Sequence, residues 1–73
     1  MDVDVSTQKH HGAWKFTRLI KNVAGPREAM AKMDKDATFS YNLQEDDDNV
    51  YYFRNVFTDV GYRCITKEAQ SAN

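Results

Sequence analysis

Glu45, Asp46, Asp47 and Asp48 set four carboxylates side by side, just ahead of the apolar and aromatic run Val50-Tyr51-Tyr52-Phe53. Clustered carboxylates can hold a divalent cation, imitate the phosphates of a nucleic acid, or open a helix. The cation loop can be tested by counting. An EF-hand needs oxygen ligands at alternating positions, a glycine at the sixth and a glutamate at the twelfth. Starting from Asp46, Val50 falls on the fifth position, Tyr51 on the sixth and Phe57 on the twelfth, so the pattern fails. The helix start fares better. A first turn carries unpaired N–H groups and a partial positive charge, and Asp is a preferred cap there. The sequence therefore predicts no metal and assigns Asp47 or Asp48 as the N-cap of a helix.

Nucleophilic chemistry is poorly provided for. Cys64 is the only thiol, and His10 and His11 are the only imidazoles. The histidines precede Gly12 in a polar stretch with no periodicity, a poor scaffold for the hydrogen-bond geometry that a thiol–imidazole couple needs. No GxSxG, P-loop, GxGxxG or HExxH pattern occurs. The expectation is a protein that is not an enzyme and takes no cofactor.

Two stretches could bind macromolecules. In residues 9–21, Lys15, Arg18 and Lys21 interleave with Trp14 and Phe16. Cations for phosphates and a ring for base stacking are the components of a nucleic-acid surface. The pI of about 6.0 lacks the basicity of a dedicated nucleic-acid binder. The second stretch is the acidic cluster itself, Asp46, Asp47 and Asp48, with Tyr51, Tyr52 and Arg54. Tyrosine and arginine beside charge resemble the anchors favoured at protein interfaces.

The bulk properties frame these sites. The chain has 73 residues, 41% of them hydrophobic and 29% charged, with a net charge of −1. That total conceals a dipole. Residues 9–35 hold seven cations against two anions, a net +5, whereas residues 36–60 hold six anions against Arg54, a net −5. Such polarity bears on partners rather than on fold. A domain this small buries little of its surface and commonly relies on disulfides, metal or a partner subunit. One cysteine excludes a disulfide within the chain, leaving tight packing or self-association. No apolar run approaches the length of a membrane span, and MDVDVSTQKHHG lacks the features of a secretory signal. A cytoplasmic setting is expected.

The positioning elements follow from periodicity. At 100° per residue, Val50, Phe53, Val56, Phe57 and Val60 share one face, predicting a helix over 49–60 with Gly61 at its C′ position. ATFSYNL and YRCITK alternate, predicting strands near 37–43 and 62–67. Gly25-Pro26 opens a predicted helix over about 26–35, with Ala29, Met30 and Met33 as its apolar stripe. Residues 13–23 fit a helix by period but a strand by topology, because two strands alone make a weak sheet. The expected fold is thus a small α+β domain, β-α-β-α-β, a three-stranded sheet with two helices. The alternative is α-α-β-α-β with 13–23 helical. Residues 1–11 are predicted to be a flexible tail, 12–68 the folded domain and 69–73 a frayed end. The functional expectation is a small regulatory or inhibitor-type protein that binds the surface of a larger protein. A nucleic-acid-binding regulator using 9–21 is the competing reading.

Overall fold

β4 (Asp48–Asn55) occupies most of the segment that the sequence assigns to a helix. The helical period there is a coincidence of two structures. Val50 and Phe53 belong to a strand, Val56 and Phe57 to the turn after it, and Val60 to the next strand. Tyrosine, phenylalanine and valine fit a pleated surface well. Each face of β4 mixes apolar with polar groups, which hides the alternation expected of a strand.

The computed structural model describes residues 1–67; the end expected to fray, 69–73, lies outside the described residues. Among the described residues, five strands and one helix follow in the order β1 (Asp2–Lys9), β2 (Lys15–Ile20), α1 (Pro26–Met33), β3 (Thr38–Glu45), β4 and β5 (Val60–Lys67). The strands form one antiparallel sheet in the order β2-β1-β5-β4-β3. The expected three-stranded sheet with two helices is therefore wrong. The fold is mostly sheet, with a single short helix in the β2–β3 connection.

β1 corrects a second expectation. Asp2–Lys9, assigned from the sequence to a flexible tail, lies inside the sheet between β2 and β5, in register from Asp2↔Lys67 to Lys9↔Val60. Val3 and Val5 are fully buried and alternate with Asp2 and Asp4, a strand pattern too short and too acidic to stand out.

α1 starts at Pro26, whose missing N–H has no intrahelical partner at that position. It ends after Met33, where Asp34 turns extended and donates its N–H to the Met30 carbonyl at 2.7 Å. Ala29 and Met30 press onto one side of the sheet and complete a core with Val3, Val5, Ile20, Val23, Phe53, Tyr62 and Cys64. Arg27 adds a lid, its guanidinium 4.4 Å from the Phe39 ring centroid. α1 covers only this side of the sheet.

The turns account for the charged and glycine positions. Asp46 and Asp47 form the two-residue loop of the β3–β4 hairpin, with Asp46 in the left-handed region at φ 49°. The carboxylate cluster is thus a hairpin turn and not a helix cap. Gly61 is likewise no helix terminus. It sits within β5 under Trp14, and the left-handed residue nearby is Asp59, at φ 59°.

Candidate functional site

The β4–β5 turn, Val56–Asp59, carries the two most exposed large apolar residues among those described. Val56 is 71% exposed and Phe57 81%. A floppy loop would make this unremarkable, but the turn is held from inside. Asn55 is buried, and its Oδ1 accepts the backbone N–H of Phe57 at 2.9 Å and of Thr58 at 3.2 Å. This is the Asx turn that Asn favours, with the side chain substituting for a backbone acceptor. The Asp59 N–H closes back onto the Asn55 carbonyl at 2.8 Å, and Arg54 forms an ion pair with Asp59 across the base.

Asn55 is fixed in turn by a second set of bonds. Its Nδ2 donates to both oxygens of Asp34, at 2.9 and 2.8 Å, and the Tyr62 hydroxyl donates to the same carboxylate at 2.8 Å. Hydrogen bonding from Asn55 holds the Asp34 carboxyl below its ordinary range, against an opposing effect of burial; Tyr62 and the N–H groups of Asp36 and Ala37 act in the same direction as Asn55. Burial, reinforced by Asp34, pushes the Tyr62 hydroxyl up to about 12. Every polar atom of Asn55 is therefore used, half on the turn and half on the end of α1. Two exposed apolar side chains stand on a braced support.

A second surface is the sheet face that α1 leaves uncovered. The register aligns two cross-sheet rows on it. One runs Tyr41, Tyr52, Arg63, Ser6, Phe16 and the next Leu43, Val50, Ile65, Asp4, Leu19. Tyr41 stacks on Tyr52 with centroids 4.4 Å apart, and Trp14 meets Tyr52 edge-on at 6.1 Å. The Arg63 guanidinium lies 5.2 Å from the Trp14 centroid. Phe16, Tyr41, Leu43 and Leu19 remain exposed along the margins.

The residues singled out in the sequence are distributed over several parts of the molecule. Asp46 and Asp47 cap the β3–β4 hairpin, with Asp48 opening β4, while Arg54 lies at the far end of that strand beside the tip. Tyr51 packs toward the core against Phe39, whereas Tyr52 lies on the uncovered face. Trp14 shares that face, but Lys15 and Arg18 pair with Thr7 and Val5 and so fall on the opposite side. Lys21 follows β2 and is exposed. Trp14 and two of its three companion cations thus do not form one surface.

The tip itself was missed because Val56 and Phe57 complete a helical stripe. The available signal was Asn55 two residues before Phe57, followed by Thr-Asp-Val-Gly, a turn composition.

Cys64 is fully buried and its thiol is pushed up to about 12 by that burial, so it is inert as a nucleophile. His10 and His11 lie exposed in the β1–β2 connection. Among the described residues, no three His, Cys, Asp or Glu side chains group as a metal site would require, and no helix is long and apolar enough to cross a membrane. Comparison of the chain with protein-family models, curated proteins and solved structures finds no match.

Proposed function

We propose that this chain is a non-enzymatic, inhibitor-type binding protein of the cytoplasm that acts by inserting the Val56–Phe57 tip into an apolar pocket of a larger protein. The observation that carries the reading is the pairing of extreme exposure at Phe57 with a support that uses every polar atom of Asn55. A turn whose backbone is already held in place loses less conformational freedom on association than a loose loop would. A projecting aromatic that fills a partner's pocket is the usual form of a binding hot spot. The Arg54–Asp59 pair beside it supplies a polar rim. The lone cysteine accords with a reducing compartment.

The nucleic-acid reading has less support. Trp14 faces away from Lys15 and Arg18, and the sheet face it occupies also carries Asp2, Asp4, Glu45 and Asp48. A phosphate backbone would meet that face against like charge.

The test places a photo-crosslinking phenylalanine analogue at Phe57 and, as a control, at Lys32 on α1, in the source cell's extract with and without nuclease. A discrete protein adduct from position 57 alone, surviving nuclease and lost with Val56→Ala, is the expected result. Equal labelling from both positions, or an adduct that nuclease removes, overturns the proposal.

A further inference from the structure

The uncovered sheet face raises a question separate from the tip. Two rows of five residues include seven that are apolar or aromatic, of which Phe16, Leu19, Tyr41 and Leu43 are exposed, in a chain whose helix shields the opposite side only. Apolar patches of this extent on small proteins mark contact surfaces. What identifies the occupant is the order of charge along the strands.

Each end of this face has its own character. Beyond the Leu43 row lie Glu45, Asp48, Lys67 and Asp2; beyond the Tyr41 row lie Thr38, Arg54, Gly61 and Gln8. One end is predominantly acidic, and the other holds Arg54, paired with Asp59 of the adjoining turn, among uncharged residues. Two copies of such a face can meet about either of two in-plane two-fold axes. An axis along the strands keeps each row over its own copy. It sets Lys67 on Lys67, Arg63 on Arg63 and Asp48 above Asp2, like charge on like at each of these positions. An axis perpendicular to the strands reverses the rows. Asp48 then lies over Arg54 of the second copy, Leu43 over Tyr41, Val50 over Tyr52 and Leu19 over Phe16. Asp4 comes over Ser6, next to Arg63, whose buried Nε has no hydrogen-bond partner.

We infer that this face pairs with the same face of a second copy across a two-fold axis perpendicular to the strands. The register then sets the acidic end of one copy over the largely uncharged end of the other and brings the two apolar rows together, avoiding the like-charge contacts of the alternative axis. Five strands about 4.8 Å apart and four rows about 6.6 Å apart give a footprint of roughly 19 by 20 Å. That is below the ~800 Å² per partner of a standard interface, so the dimer should be a weak one that forms at high concentration. The two tips then point from opposite ends of the dimer, so each pair of chains would present two.

Sedimentation equilibrium of the full chain, up to about 1 mM, tests the proposal. The expected mass is twice the 8.5 kDa of the chain at the upper concentrations. Leu43→Glu should raise the dissociation constant about tenfold or more, whereas Phe57→Ala should leave it unchanged. A wild-type chain that stays monomeric, or a dimer indifferent to Leu43→Glu, overturns the assignment. Asp48→Arg separates the axes. It weakens the dimer if Asp48 meets Arg54, and it strengthens the dimer if Asp48 meets Asp2, which would overturn the perpendicular axis. Failure here leaves the tip proposal standing, because crosslinking at position 57 reads a different surface.

Discussion

The Asn55 side chain joins two parts of the molecule that are 21 residues apart in sequence, donating from Nδ2 to both oxygens of Asp34 while its own oxygen caps the turn at Phe57 and Thr58. One buried amide thus ties the end of α1 to the hairpin that carries the exposed tip. A hydrogen bond to a charged group contributes more than a neutral one, about 1.5–3 kcal/mol net. Asn55→Ala should therefore lower unfolding stability by about 2–4 kcal/mol in chemical denaturation, adding the freed turn to the lost carboxylate contacts. Asn55→Asp should cost more, because it brings a second negative charge against Asp34.

The same network sets a dependence on acid. The folded carboxyl of Asp34 lies below its unfolded value of 3.8, so its contribution is present above that value and is lost as pH falls through the folded one. Asp34→Asn should flatten the decline in stability as the pH falls below 3.8, followed by thermal melting at each pH.

At the alkaline end the sign reverses. Tyr62 is raised from 10.0 to about 12, so its contribution is complete below pH 10 and disappears as the pH climbs toward 12. Ultraviolet titration should show one of the four tyrosines ionising last, and Tyr62→Phe should abolish that late step.

Cys64 is enclosed between Val5 and Tyr51 on neighbouring strands. A thiol-specific reagent should modify it only as fast as the sheet opens, so its rate should rise with denaturant in parallel with unfolding. Cys64→Ser buries a hydroxyl where the thiol needed no partner and should cost about 1–3 kcal/mol.

Gly61 lies beneath Trp14, the only tryptophan, and a Cβ there would meet the Trp14 ring at 3.4 Å. That is ordinary van der Waals contact. Gly61→Ala should be neutral or stabilising by up to about 1 kcal/mol, since glycine weakens a strand interior. Gly61→Leu should lift the indole away and shift its fluorescence to longer wavelength, with little change in the far-ultraviolet spectrum.

Legibility in the sequence followed the distinctness of each local signal. α1 was marked by Gly25-Pro26 and by its stripe of Ala29, Met30 and Met33, and β3 and β5 by alternation. β4 was not, because Val56 and Phe57, exposed in the turn that follows it, fell into phase with Val50 and Phe53. Periodicity assumes that apolar residues mark the core, and apolar residues exposed in a turn break that assumption. β1 was obscured because an interior strand bonded on both sides needs few large side chains: Val3 and Val5 suffice. Of the tip, only Arg54 at its base was singled out, and that for a different surface. Its brace depends on Asp34 and Asn55 meeting in space, which no spacing records.

β1 joins the first hairpin to the three-stranded meander, and its pairing with β5 spans almost the whole described chain, Asp2 to Lys67. Neither half is a finished sheet until that seam closes. Long-range closure of this kind slows folding relative to local pairing. It also makes the chain divisible. A break at the exposed Lys35–Asp36 turn should yield two fragments, one bearing β1–β2–α1 and the other β3–β4–β5, that recombine along a single strand–strand boundary. The molecule is in this sense two complementary peptides in one polymer.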